Sequence, residues 1–349
     1  MTDCPDCKEW REKGAKFCGT CGQRLDDWPA PSSGDLHDII WFLAYLGILL
    51  GLVVFACNFL YLGLNFAHLA EIAADVEVPF SLIFGLWRLR LFYYGGTGIL
   101  VELVLCMIVQ AVSLAYAMNR LWQIHKAAPK DYDAHLTSGM GATISIMSVT
   151  IFISILSSLI TLVTAGTIPD SSWMDGYDLV FLQYDLTCAG VVEELQFRIL
   201  FIGLPMVAIG YLFHKGKNSW QYVLGGFGIN KAAMILLLIS SLLFGLAHYD
   251  GWGWSKIPMT CIGGFAYGYL YCEYGVYAPI LAHTVNDTLF AVTYILGFGG
   301  IVSLAYLGLG LVMLIWMVAH PRKDLFRFKE MNALPEEIED SFLRNWERH

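Results

Sequence analysis

Charged residues are scarce in this sequence. Of its 349 residues, 15% are Asp, Glu, Lys or Arg and 57% are hydrophobic. An ordinary soluble domain carries about 25% charged residues, so the composition excludes that class. The N-terminal segment has no apolar core before residue 38, which argues against a signal peptide and leaves membrane insertion to the first span. The later apolar runs lack the alternation of a membrane barrel, which favours helices.

Apolar runs are abundant instead, and most approach the roughly 20 residues that a helix needs to cross a membrane. They predict an all-α polytopic membrane protein with about eight transmembrane helices, preceded by a small zinc ribbon and a linker at 26–37. The predicted spans are about 39–66, 98–118, 140–166, 179–213, 232–249, 256–272, 276–297 and 299–318. We therefore expect a transmembrane domain at 38–320 and a charged tail at 321–349.

Lysines and arginines are unevenly distributed between the spans. With the N-terminus in the cytosol, most of them fall on the cytosolic side, and only Arg88, Arg90 and Lys256 fall outside. The positive-inside rule therefore predicts cytoplasmic N- and C-termini. The aromatic residues around Arg88 and Arg90 predict an interfacial belt in the connection between the first two spans.

Residues 1–25 form a module of their own. Two C-x-x-C pairs, Cys4 with Cys7 and Cys18 with Cys21, are separated by ten residues. Four thiolates at this spacing suit tetrahedral zinc, and the pattern resembles the small zinc ribbons of many prokaryotic proteins. The alternative is two disulfides or a redox pair, which a reducing cytosol disfavours. Zinc would supply about 10–16 kcal/mol of folding free energy, in a structural or partner-binding role.

Two carboxylates and an arginine interrupt the fourth apolar run. A charged residue at the centre of a spanning helix costs roughly 2.5–3.5 kcal/mol, so Glu193, Glu194 and Arg198 need partners and usually a function. Glu194 and Arg198 stand at i and i+4 with the acid first, which predicts a salt bridge within the helix. Glu193 faces another direction and is left without an obvious partner, which suits a general base.

Two further spans carry polar groups of the same chemical kind. His248 follows Phe244 by four residues, so the two rings are expected on one helix face. His283 is followed by Asn286 and Asp287 at one turn's spacing. A lone buried histidine is more often structural than catalytic, but a bundle that brings three such spans together gains one shared polar cavity. The combination predicts a site.

These residues resemble the pattern of a known family. Glu-Glu-x-x-Phe-Arg, Phe-x-x-x-His and His-x-x-x-Asp, in that order on three spans, are similar to the CAAX-processing and bacteriocin-processing (CPBP, or abortive-infection) intramembrane proteases. The Ras-converting CAAX endopeptidase of eukaryotes is the best-known branch. The resemblance covers roughly residues 140–300 and leaves the ribbon outside as a fused module. The context of His248 is similar to prokaryotic members, which implies a prokaryotic plasma membrane.

The resemblance implies a role for each matching residue. Glu193 would activate water, with Glu194 and Arg198 as a supporting pair. His248 and His283 would orient that water or bind a catalytic metal. Ile199 stands where a glycine is common in the family, which we expect to alter helix packing more than chemistry.

Asp287 stands at the position where an Asn or Asp of the family helps to stabilise an oxyanion. Three alternatives stay open for this sequence. Asp287 donates a hydrogen bond if it is protonated, Asn286 donates instead, or Asp287 orients a histidine.

The expected function is therefore that of an intramembrane endopeptidase, acting on a peptide or membrane protein with or without a prenyl group. Amide hydrolysis by a carboxylate and two imidazoles works with or without zinc. The H-E-x-x-H pattern is lacking, and Glu193 cannot easily serve as both ligand and base, which favours the metal-independent reaction. Membrane lipid and a protein partner of the ribbon are the other expected partners, and no nucleic acid is expected.

Two other classes compete with a protease. One is a catalytically silent scaffold or bacteriocin-immunity protein that recruits partners through the zinc ribbon. The other is a proton-coupled transporter, which is disfavoured because the sequence lacks an inverted repeat and broken helices.

Overall fold

The computed structural model describes residues 35–127, 132–165, 176–214, 219–295 and 299–319. The predicted zinc ribbon with its four cysteines, most of the predicted linker and the charged tail lie outside these residues, so they stay predictions. The first helix, α1, begins at Asp35, inside the predicted linker.

Helices account for nearly all of the described chain. In chain order they are α1 (Asp35–Leu64), α2 (Phe66–Ala74), α3 (Thr97–Ala127), α4 (Tyr132–Leu136), α5 (Gly139–Ala165), α6 (Leu179–Glu194), α7 (Leu204–His214), α8 (Lys231–Ala247), α9 (Tyr249–Trp252), α10 (Ile257–Tyr274), α11 (Tyr277–Ile295) and α12 (Gly299–Ala319). Short 3-10 turns at Ser219–Leu224 and Trp254–Lys256 complete the helical elements.

Among the described residues, five helical stretches are long and apolar enough to cross a membrane. They are Ile39–Leu64, Thr97–Ala127, Gly139–Thr164, Leu179–Leu212 and Ile301–Ala319. They coincide with five of the predicted spans, and the polytopic helical architecture is confirmed. The other three predicted spans are occupied by α8, α10 and α11, which are less apolar or shorter, so the number eight stays a prediction. Polar residues for the site and for contacts between helices lower the hydropathy of α11, which packs against α6, α3, α10, α5 and α1.

One continuous helix runs from Leu179 to His214, but its middle is wound differently. Between α6 and α7, residues Leu195–Gly203 form a π-helical segment, in which the amide of Leu204 bonds to the carbonyl of Ile199. Pro205 has no amide hydrogen and its ring clashes with the preceding turn of a regular α-helix, so a wider turn before it relieves the conflict. Such π segments are frequent at functional sites, and this one follows Glu194 directly.

Helices α6 and α11 approach each other closely at Gly190. A Cβ atom at Gly190 would lie 2.8 Å from the backbone nitrogen of Thr284. The absence of a side chain therefore allows the helix that carries Glu193 to reach the helix that carries His283. A polar seam continues this contact: Gln110 of α3 donates to the Thr187 carbonyl at 2.7 Å and to Thr284 Oγ1 at 3.0 Å. Interhelical hydrogen bonds of this kind are worth about 0.6–2 kcal/mol each.

The described chain also contains a β-hairpin that the sequence analysis did not predict. Strands β1 (Glu77–Phe84) and β2 (Trp87–Gly95) pair antiparallel between α2 and α3. The two-residue turn begins with Gly85 at φ 65°, a conformation that favours glycine and suits a tight hairpin. The sequence signal was present, since apolar residues alternate along β1 and a Gly-x pair follows them. The belt predicted around Arg88 and Arg90 is β2 of this hairpin.

The N-terminus of α6 is held by a surface contact. Asp178 Oδ1 accepts the amide of Val180 at 2.8 Å and caps the helix, while Asp178 Oδ2 lies 3.0 Å from His68 Nε2 of α2. The Asp178 hydrogen bond raises the pKa of His68 above its ordinary range, against a smaller opposing effect of desolvation. Burial alone would raise the pKa of Asp178, but hydrogen bonds from His68 and the backbone outweigh it and lower that pKa.

We predict that substitution of Gly190 by Ala lowers thermal stability by about 1–3 kcal/mol, because the new methyl group forces α6 and α11 apart. Gly263→Ala is the matched control, since no atom lies within 4 Å of a Cβ at that helical glycine. The control should be neutral or more stable by about 0.5–1 kcal/mol. Thermal unfolding in detergent measures both, and equal effects would contradict the close packing at Gly190.

We also predict that the His68–Asp178 contact stabilises the protein most between about pH 4 and pH 6.5, which are the ordinary pKa values of the two groups. Because the folded pKa of His68 is raised, its contribution is complete below the unfolded value and is lost as pH rises through the folded one. Because the folded pKa of Asp178 is lowered, its contribution is lost only in stronger acid. His68→Gln should therefore reduce the melting temperature at pH 6 and leave it unchanged at pH 9, and a pH-independent effect would refute this.

Candidate active site

Three helices bring the predicted polar residues together. Glu193 and Glu194 end α6, His248 follows the last residue of α8, and His283 and Asp287 lie in α11. His248 was expected deep within a span but caps the end of α8, where its side chain is 20% exposed. The site therefore lies at the end of α8 that carries His248 and at the end of α6, where the π-helical segment begins.

Glu194 and Arg198 form the predicted salt bridge. Arg198 Nε donates to Glu194 Oε2 at 2.8 Å, and both side chains are fully buried. Arg198 also donates to Ser240 Oγ of α8 at 3.1 Å and lies over the ring of Phe244, 5.1 Å from its centroid. Two buried charges are tolerated when geometry and added hydrogen bonds are good, which is the case here. The pair therefore fastens the π-helical segment to α8.

His283 continues this network into α11. Its Nδ1 lies 2.7 Å from Glu194 Oε1 and its Nε2 lies 3.1 Å from Asp287 Oδ2. Because both partners are carboxylates, a ring protonated on both nitrogens donates to both. The ring also stacks on Tyr267 of α10, with centroids 4.9 Å apart. His283 is thus fixed from three sides.

His248 is oriented by its own helix. Its Nδ1 lies 2.8 Å from the carbonyl oxygen of Phe244, and the two rings lie 4.8 Å apart. The predicted shared face of Phe244 and His248 is confirmed. A carbonyl only accepts, so Nδ1 carries the hydrogen and the Nε2 lone pair of the neutral ring points away from α8. That atom lies 4.0 Å from Glu193 Oε2.

Glu193 is the one carboxylate of this cluster that lacks a hydrogen bond within the described part of the chain. Its Oε2 is buried, while the side chain as a whole is 27% exposed. The same oxygen lies 3.8 Å from His283 Nε2, so it stands between the two imidazoles. A carboxylate held in place by its helix, with an unused oxygen and partial access, can take a proton from a small molecule bound beside it.

Asp287 contacts two neighbours of its own helix. It lies beside His283 Nε2, and Asn286 donates to its Oδ1 at 3.0 Å. In both contacts Asp287 is the acceptor. Of the three open alternatives, this arrangement favours the orientation of His283, while the role itself stays a prediction.

The fit of the cluster to a catalytic metal is poor. Both ring nitrogens of His283 face carboxylates, and His248 offers only Nε2. Among the residues that the structure describes, no three His, Cys, Asp or Glu side chains are arranged to hold a metal ion. His248 and His283 therefore do not form a pair of metal ligands in this geometry.

Two supporting residues escaped the sequence analysis. Ser240 bridges α8 to the π-helical segment by accepting from Arg198 and donating to the Phe197 carbonyl at 2.6 Å. Its signal was its position, since Ser240, Phe244 and His248 follow each other at intervals of four. Tyr267 had no distinct signal, because it belongs to an aromatic-rich stretch of α10 whose facing side depends on packing.

The adjacent glutamates should differ sharply in their effect on stability. Glu194→Gln leaves the buried Arg198 without its counter-charge and His283 with one carboxylate instead of two, and we predict a loss of about 3–5 kcal/mol. Glu193→Gln removes no hydrogen bond that the described residues make, so we expect a change below about 1 kcal/mol. Thermal unfolding of the two variants in one detergent provides the comparison, and similar losses would show that the division between the two acids is wrong.

Comparison with known proteins agrees with this arrangement. Residues 176–289 match the family model described as type II CAAX prenyl endopeptidase Rce1-like. The matched range contains Glu193, Glu194, Arg198, His248, His283 and Asp287. No curated protein and no solved structure matches the chain. The predicted family resemblance is confirmed for residues 176–289, which carry the whole cluster and are similar to the Rce1-like type II CAAX prenyl endopeptidases.

Proposed function

We propose that this protein is an intramembrane endopeptidase in which Glu193 activates the hydrolytic water. The observation that carries the proposal is the unused, buried Oε2 of Glu193, which lies 4.0 Å from His248 Nε2 and 3.8 Å from His283 Nε2. Membership of a protease family supports the reaction class. The geometry supports the identity of the base.

The separation between Glu193 and His248 suits a shared water. Both Oε2 and the Nε2 lone pair are acceptors, so a water between them donates one hydrogen to each. Two hydrogen bonds of about 2.8 Å fit a separation of this size with little adjustment. The free lone pair of the water oxygen then points away from both groups, toward an incoming carbonyl carbon.

The reaction follows as two balanced steps. Glu193 takes one proton from the water while the oxygen bonds to the scissile carbonyl carbon, which gives a tetrahedral intermediate and a protonated Glu193. Glu193 then returns the proton to the leaving nitrogen as the carbon–nitrogen bond breaks. The products are a carboxylic acid and an amine, and the enzyme regains its starting state.

The developing oxyanion needs a donor near these groups. His283, held between Glu194 and Asp287, places positive charge at the site, and Asn286 has a second amide hydrogen besides the one given to Asp287. Donors that are fixed in advance lower the barrier because they need not reorganise during the reaction. The buried Glu194–Arg198 pair thus acts through His283 rather than on the substrate.

The substrate class we propose is an extended peptide segment at the membrane. The side chains of His248 and Glu193 are 20% and 27% exposed, and this partial access admits a peptide chain that is anchored in lipid. The cleavage assay uses two kinds of reporter, a prenylated CAAX peptide and a peptide without a prenyl group.

We predict that Glu193→Gln and His248→Gln each reduce cleavage of a membrane-anchored reporter at least about 10²-fold, because the first removes the base and the second removes the imidazole nitrogen that accepts from the water. His125→Gln is the matched control, since that histidine lies in α3 against Trp122 and His135, away from the cluster. Mass spectrometry of the products in liposomes provides the rate and the cleaved bond.

Unchanged cleavage in both variants would contradict the proposal. A silent scaffold instead predicts no cleavage by the wild-type chain and a partner-dependent function that survives Glu193→Gln. That alternative gives no reason for a buried carboxylate oxygen that lies between two imidazoles and accepts no hydrogen bond from the described residues.

A further inference from the structure

The β-hairpin is fastened to the catalytic helices along its length. At its base, Tyr94 of β2 and Tyr184 of α6 both donate to Glu102 of α3. Near the turn, where Ile83 of β1 pairs with Arg88 of β2, the carbonyl of Ile83 accepts from Gln196 at 2.8 Å. Gln196 lies in the π-helical segment, three residues after Glu193. The hairpin is therefore bonded to the helix that carries the proposed base.

Near its tip the hairpin reaches the other catalytic helix. Arg88 Nη2 donates to the carbonyl of Ala247 at 3.3 Å, and Arg88 Nε lies 3.3 Å from Asp250 Oδ2. These two partners flank His248 in the chain, since Ala247 ends α8 and Asp250 lies in the first turn of α9. A Cβ atom at Gly85 would lie 3.3 Å from Leu246 and 3.4 Å from Leu243, so the turn of the hairpin comes close to α8 at the same place. His248 thus lies between two points that one arginine holds.

Arg88 acts on α8 as a cap supplied by another part of the chain. The last carbonyls of a helix lack partners within it, and a cation near this end also interacts favourably with the helix dipole. Ala247 is the last residue of α8, and its carbonyl receives the guanidinium of Arg88. Removal of the Arg88 guanidinium would therefore leave the last carbonyl of α8 without this donor, directly before His248.

We infer that Arg88 is a positioning residue for His248, and that the hairpin fixes the distance between His248 and Glu193. This inference rests on the proposed function. The hairpin is bonded to both helices that carry these residues. It accepts a hydrogen bond from Gln196 after the end of α6, and it contacts Ala247 and Asp250 on either side of His248. Arg88 is assigned no contact with the water or the substrate and acts through the backbone on either side of His248.

The expected effect lies in turnover rather than in stability. Arg88 and Asp250 are 43% and 56% exposed, and ion pairs of such exposure contribute little to folding. A misplacement of about 1 Å in a catalytic group, in contrast, can reduce turnover about 10²-fold. Arg88→Ala should therefore lower kcat about tenfold or more with a nearly unchanged melting temperature and with KM within about twofold.

Arg90→Ala is the matched control. Arg90 lies two residues along the same strand, and its guanidinium donates to Tyr93 at 3.2 Å, within the hairpin. Both variants remove one positive charge from β2, so a general electrostatic effect on substrate binding would appear in both. Arg88→Lys retains the charge and one donor but loses the fork, and we expect an intermediate kcat.

A second measurement reads His248 without catalysis. The rate at which diethyl pyrocarbonate modifies His248, followed by peptide mass spectrometry, should rise in Arg88→Ala and stay at the wild-type value in Arg90→Ala. If the wild-type chain cleaves no reporter while this difference is present, the proposed function fails and the positioning of His248 stands. If Arg88→Ala leaves either kcat or the modification rate of an active enzyme unchanged, or raises KM alone, the inference is overturned.

Discussion

The fully buried ion pair of Glu194 and Arg198 is the interaction on which the rest of the site depends. It joins the π-helical segment to α8 through Ser240 and to α11 through His283. Its desolvation is expensive, so it persists only because hydrogen bonds satisfy the charges on every side. Removing one partner would release all three helices at the point where the chemistry is proposed. Arg198 is paired with Glu194, so the neighbouring Glu193 accepts no hydrogen bond from the described residues and is available as a base.

Backbone geometry supports the same division of labour. The helix from Leu179 to His214 changes winding directly after Glu194, before Pro205, and approaches α11 at a glycine. The close approach at Gly190 brings the buried Glu194 to His283, and Glu193 lies 4.0 Å from His248. The hairpin then completes the frame from outside the bundle, because it is bonded to both helices that carry the proposed water-binding groups.

Much of this arrangement follows from sequence patterns that reflect local physics. Hydropathy predicted the five confirmed apolar helices, spacing predicted the Glu194–Arg198 bridge, and three motifs together predicted the family. The hairpin, the π-helical segment and Tyr267 were missed. Arg88 was counted only as a charge outside the membrane, because its partners lie about 160 residues further along the chain and no local pattern connects them. The roles of His248, His283 and Asp287 stay predictions, since they depend on a bound substrate.

The central claim is that Glu193 activates water without a metal, because both ring nitrogens of His283 are already engaged. Metal content and cleavage should be measured together in the full chain with all four ribbon cysteines, Cys4, Cys7, Cys18 and Cys21, changed to serine. We predict wild-type cleavage of the reporter with far less than about one zinc ion per chain. About one zinc ion per chain that is lost, together with cleavage, on His248→Gln would contradict the claim.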